Sequence, residues 1–127
     1  MKVTWRGVKE FDRWLEQTPG IVTKDVAAAL FQEGENIMAV SKRRTPVDTG
    51  NLRSSGHVKP PKTKGGETEV MLAYGTDYAI YVHEILTATH PSGQAKYLES
   101  AVKEAAGAFT ANVKKRIRES VTRRGGI

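Results

Sequence analysis

The chain has 127 residues and a mass of 14.0 kDa, the size of one ordinary domain, read here as a single unit over 1–127. It contains no cysteine, which excludes disulfide frameworks, thiolate metal sites, iron–sulfur clusters and cysteine nucleophiles. With 39% apolar and 27% charged residues, it is polar for a globule yet too apolar for a disordered chain.

The longest uncharged apolar-leaning run, residues 26–32, is too short to span a bilayer. Residues 1–6 lack the apolar core of a secretory signal, so the sequence predicts a cytoplasmic product unless it leaves as part of something larger. Net charge is +6, with a pI near 9.7, and its distribution is uneven. Residues 1–40 are nearly neutral, 41–65 strongly basic, 66–110 acidic and 111–127 basic again. Two partners fit basic blocks around an acidic middle: a polyanion such as nucleic acid, or acidic surfaces on a neighbouring copy.

Val8, Phe11, Trp14 and Leu15 recur at helical spacing and Pro19-Gly20 stops the run, predicting a short amphipathic helix over 7–17. Thr23 reads as the N-cap of a second, longer helix, with Asp25 in its first turn. Val26, Leu30, Ile37 and Met38 form its stripe, widened by Ala27, Phe31 and Gly34. It should end at 42–44, before Pro46, where Lys42, Arg43 and Arg44 complement the helix dipole. Residues 45–53 are turn chemistry, in which Asp48 or Thr49 bonds the backbone and Gly50 adopts a positive φ. A weak strand follows over 53–59. The apolar-free stretch 60–66, carrying Lys62 and Lys64, reads as a flexible hairpin tip or as a loop that orders against a partner.

Residues 69–74 give the best strand in the chain. Residues 77–86 fit strand and helix alike, since Tyr78, Ile80 and Val82 alternate while Tyr78, Tyr81, Val82 and Ile85 share a helical face. The preferred expectation is a short helix. A last helix opens near Ser92 or Gly93, with Leu98, Ala101, Val102, Ala105, Phe109, Val113, Ile117 and Val121 in one stripe. Residues 123–127 should fray. Long N-terminal and C-terminal helices packed on a small antiparallel sheet make the expected fold class α+β.

Catalytic and metal chemistry finds little footing. His83-Glu84 opens like a zinc-protease motif, but Thr87 stands where the second histidine is needed. There is no G-x-S-x-G and no phosphate-binding glycine loop, and Ser54, Ser55 and His57 on one weak strand do not build a triad. The expectation is no enzyme, no metal and no cofactor. For nucleic acid, the candidates are Lys42-Arg43-Arg44, the loop over 59–64 and the helix over 114–124, where Lys114, Arg118 and Lys115 could track phosphates from neighbouring turns. The alternative function is a small basic nucleic-acid-binding protein, though no helix-turn-helix, zinc-finger or RNA-binding aromatic pattern accompanies these blocks.

The most distinctive stretch is Thr45-Pro46-Val47-Asp48-Thr49-Gly50-Asn51-Leu52-Arg53-Ser54-Ser55. It resembles the P-V-D-T-G-x-L-R-x-S signature of the tail-completion, or neck, family of long-tailed bacteriophages. Lys42-Arg43-Arg44 before it, Tyr78-Ala79-Ile80-Tyr81-Val82-His83-Glu84 and Lys96-Tyr97-Leu98-Glu99-Ser100-Ala101-Val102 look like further family features in the family's order. Glu84 is not followed by the family's Gly-Thr turn, and Lys96 replaces its usual proline. The resemblance implies a non-enzymatic virion protein at the head–tail junction, made in the host cytoplasm and assembled as a ring. A hexamer is the first expectation, because tail tubes are sixfold. It implies as partners copies of itself, a tail terminator or tube protein and head–tail connector proteins, with DNA passing through without sequence-specific binding. Pro46, Asp48, Thr49, Gly50, Leu52 and Arg53 would lock a structural corner. Lys42, Arg43, Arg44, Lys62, Lys64, Tyr78, Tyr81, Glu84, Lys114 and Arg118 would be interface candidates.

Overall fold

The computed structural model describes residues 8–45, 50–64, 67–74, 78–82, 86–88 and 96–125. The fold is α+β. Helix α1 spans Val8–Gln17, and Gly20, at a φ of 86°, turns the chain into α2, Thr23–Arg44. Val22 rather than Thr23 is the N-cap residue. A side-chain cap from Thr23 is unnecessary because the Asp25 carboxylate reaches back to accept the Val22 N–H at 2.9 Å, satisfying one of the orphan donors at the helix start. Thr45 ends the helix in an extended conformation, as a residue preceding proline should.

A short helix α3, Gly50–Ser55, comes next. Gly50 is therefore helical, not the left-handed turn residue expected, and residues 53–55 are helix where a strand was expected. Capture of the first turn by α3 leaves only Gly56–Val58 for strand β1. Strands β2, Lys62–Lys64, β3, Glu67–Tyr74, β4, Tyr78–Val82, and β5, Leu86–Ala88, complete an all-antiparallel sheet in the order β1-β3-β4-β5. β2 pairs with β3 as a continuation of the β1 edge. Residues 62–64 are thus strand where a loop was expected, and β4 is strand where a short helix was expected. In both cases β3 supplies hydrogen-bonding partners that the isolated segment lacks, and this decides the conformation. Tyr78 pairs with Tyr74 and Tyr81 with Met71.

The expected single last helix is two: α4, Lys96–Ala106, and α5, Phe109–Arg123. The apolar stripe runs in phase across the break, so periodicity alone does not reveal it. Ala108 sits at φ −107°, ψ 1°, and its N–H bonds the Ala105 carbonyl three residues back at 3.2 Å, tightening the chain between the two helices.

Helix α2 is the hub. One side lies on the sheet at Gly34, where an added Cβ would stand 3.3 Å from both Val58 Cγ1 and Val70 Cγ1. A glycine there lets helix and sheet approach more closely than side chains allow. Its other side takes α4 and α5, whose Leu98, Ala101, Val102, Phe109, Val113, Ile117 and Val121 are buried. Phe11 carries α1 into the same core. Spacing of four along α5 puts Phe109, Val113, Ile117 and Val121 on one face, which is the reason this helix docks along its whole length.

Candidate functional site

The corner where α2 gives way to α3 is held by a buried polar node. Ser41 and Tyr74 share a hydroxyl–hydroxyl hydrogen bond of 2.7 Å, and Thr45 Oγ1 donates to the Ser41 carbonyl at 3.1 Å. The Thr45 hydroxyl also lies 3.4 Å from the Tyr74 hydroxyl. From α3, Arg53 returns a guanidinium hydrogen bond to the Thr45 carbonyl. Together these tie the end of α2, the end of β3 and α3 to one point. Gly56 is part of the same packing, since a Cβ there would come within 2.6 Å of Tyr74 Cε1 and 2.9 Å of Lys42 Cε. Lys42 thus lays its stem against β1.

Sequence reasoning placed Arg53 at this corner but missed Ser41, Thr45 and Tyr74. The available signal was a polar residue on the apolar stripe of α2. Asp25, Glu33 and Ser41 recur every eight residues and all are buried. Pro46, Asp48 and Thr49 lie outside the described residues, as does Glu84, while Leu52 falls on the backbone of α3.

The buried carboxylates mark where α2 meets α5. Asp25 accepts from Ser120 Oγ at 2.7 Å and from Arg124 at 3.0 and 2.6 Å, and Arg124 also reaches the Gly20 carbonyl at 2.6 Å. The Arg124 guanidinium, aided by the Val22 N–H and Ser120, holds the Asp25 carboxyl well below the usual carboxylate range, against the opposing effect of burial. Arg124 is therefore clamped where the sequence suggested fraying. Farther along, Glu33 faces Arg116 Nε at 3.5 Å without a hydrogen bond.

The expected interface cations are mostly engaged within the chain. Arg44 donates to Ser100 Oγ at 2.9 Å and pairs with Glu104, fastening α2 to α4. Lys114 and Arg118 both sit 5.4 Å from the centroid of the Trp14 ring, cation–π geometry that joins α5 to α1. Arg43 remains exposed. Lys62 and Lys64 stand opposite Glu69 and Glu67 across the β2–β3 ladder. Among the described residues, no group of three metal-ligating side chains gathers, and no helix is long and apolar enough to cross a membrane.

A family model supplies what geometry does not. The HK97-gp10-like proteins, described as candidate bacteriophage tail components, match residues 9–83. The chain belongs to this family. The matched span runs from α1 through α2 and the corner to the end of β4, so the buried polar node lies within the part of the chain that defines membership. No curated protein and no solved structure matches the chain. As a phage tail component, the protein is a structural part of the virion that contacts other virion proteins.

Proposed function

We propose that this tail component is a non-enzymatic ring subunit at the head–tail junction, which completes the tail beneath the portal. The observation that carries the reading is the family match over α1 to β4, strengthened by the signature that surrounds the α2–α3 corner. A corner tied by Ser41, Thr45, Tyr74 and Arg53 gives each copy one fixed relation between its long helix and its sheet. A closed ring needs such rigidity, because small angular errors add up around the circle. The partners are copies of the same chain, with a hexamer the first expectation, together with a tail terminator or tube protein and connector proteins. Synthesis takes place in the host cytoplasm and the product resides in the virion tail.

Exposed cations such as Arg43 are the natural contact groups. Exposed ion pairs across such an interface contribute only about 0.2–1 kcal/mol each, so assembly should depend on many contacts and on concentration. Sedimentation of the purified chain, alone and mixed with the phage's tail tube protein, tests this directly. A ring-sized species with the tube protein is expected. A chain that stays monomeric in both samples, and is absent from the neck of labelled particles, would overturn the proposal.

A further inference from the structure

The edge strand of the sheet contains a register shift that sorts its charges. Val58 pairs with Leu72, and Lys62 with Glu69. The edge therefore advances four residues while β3 retreats three, and the extra residue is absorbed at Lys59-Pro60-Pro61 as a β-bulge. In the register of β1, Lys62 would stand opposite Thr68, on the buried face that carries Val70 and Leu72. With the bulge, Thr63 takes that place, its hydroxyl 2.9 Å from that of Thr68. Lys62, shifted by that extra residue, joins the face of His57 and Lys59.

We propose that this outer ridge, His57, Lys59 and Lys62, is a contact surface for the sugar–phosphate backbone of duplex DNA, bound without reading sequence. His57, Lys59 and Lys62 are exposed. His57 stands opposite Ala73, and Lys59 bonds across to the Met71 carbonyl at 2.9 Å, so neither faces a carboxylate across the ladder. At about 3.3 Å per residue, the ridge runs about 15 Å from His57 to Lys62, long enough to follow neighbouring phosphates of one strand. Two prolines without N–H groups keep another strand from pairing along this edge, which leaves the side chains as the means of contact.

The rival basic surface on α5 is largely spent within the fold, with Lys114 and Arg118 on Trp14, Arg116 facing Glu33 and Arg124 on Asp25. Glu69, opposite Lys62, dilutes the ridge and keeps its grip weak. A weak, one-sided contact suits a duplex that has to slide past.

Fluorescence anisotropy of the full chain with a labelled random-sequence duplex, across a salt series, tests the assignment. Weak binding is expected whose logarithmic salt slope drops by about two when Lys59→Glu and Lys62→Glu are combined, with affinity at low salt falling at least about tenfold. Lys115→Glu with Arg123→Glu, exposed cations of α5 off the ridge, should leave both quantities unchanged. Thermal melting checks that each variant is folded, and Lys59→Gln with Lys62→Gln replaces the reversal if that does not fold. No duplex binding by the parent chain, or loss of binding only in the α5 variant, overturns the assignment. So does a ridge variant that keeps DNA binding but no longer enters tails, which would make the ridge a face for acidic protein. Sedimentation of the same variants reports ring formation separately, so failure of the ridge and failure of the ring are told apart.

Discussion

Asp25 shows how much one side chain can organise. It lies fully buried in the first turn of α2, where a negative charge also complements the helix dipole. It accepts hydrogen bonds from the backbone of its own helix start and from Ser120 and Arg124, about a hundred residues later in the chain. Its pKa is lower folded than unfolded, so its contribution to stability is complete above the unfolded value, near pH 4. That contribution is lost as pH falls through the lower, folded value. Thermal melts should therefore decline below about pH 4 in the parent protein, and less steeply in Arg124→Ala, which removes the main cause of the depression. At neutral pH, Arg124→Ala should lower the melting temperature, because it leaves the buried Asp25 carboxylate without its main partner. Parallel melting curves for the two proteins from pH 7 to pH 3 would show that the clamp does not form.

At the scale of elements, α1 is held by a mixture of apolar and cationic contacts. Phe11 enters the core and stacks tilted on Trp14, with ring centroids 5.9 Å apart. Lys114 and Arg118 then lie over the Trp14 ring. Their charges were expected to meet a neighbouring copy, but here they act within the fold, so reversing both should affect folding itself. Combined Lys114→Glu and Arg118→Glu should lower stability by about 1–2 kcal/mol, since each partly exposed cation–π contact is worth about 0.5–1 kcal/mol. Chemical denaturation of the isolated chain measures this. An unchanged midpoint together with lost assembly would return these residues to the interface.

Across the whole molecule, α2 connects everything else. Its start is clamped to α5 through Asp25, its end to α4 through Arg44, and its middle rests on the sheet at Gly34. Opening any one of these surfaces exposes the core on α2, so α2, β3 and α5 should unfold as one unit. Hydrogen exchange followed by mass spectrometry should find the slowest amides in these three elements and faster exchange in α1 and at the β2 edge. Slower exchange in α1 than in α2 would contradict this arrangement.

Much of this fold is legible in the residues alone. The extents of α1 and α2, the β3 strand and the core stripe of α5 follow from apolar spacing and from Pro19-Gly20 and Pro46, which act locally. The α+β class follows from their order, and the corner signature marks the family. What the chain does over 78–82 and 62–64 depends on the open hydrogen bonds of β3, a partner that no local window contains. The division of the last helix was equally hidden, because its apolar stripe keeps phase through Gly107 and Ala108. Charge is where sequence and structure part most clearly. Composition counts the basic residues of α5 as a free surface, but tertiary packing brings Trp14, Glu33 and Asp25 beneath them. An extra residue at Lys59-Pro60-Pro61 meanwhile turns Lys62 outward. Side-chain type is a property of the chain, whereas which opposite charge or ring lies within reach is decided only when distant segments meet.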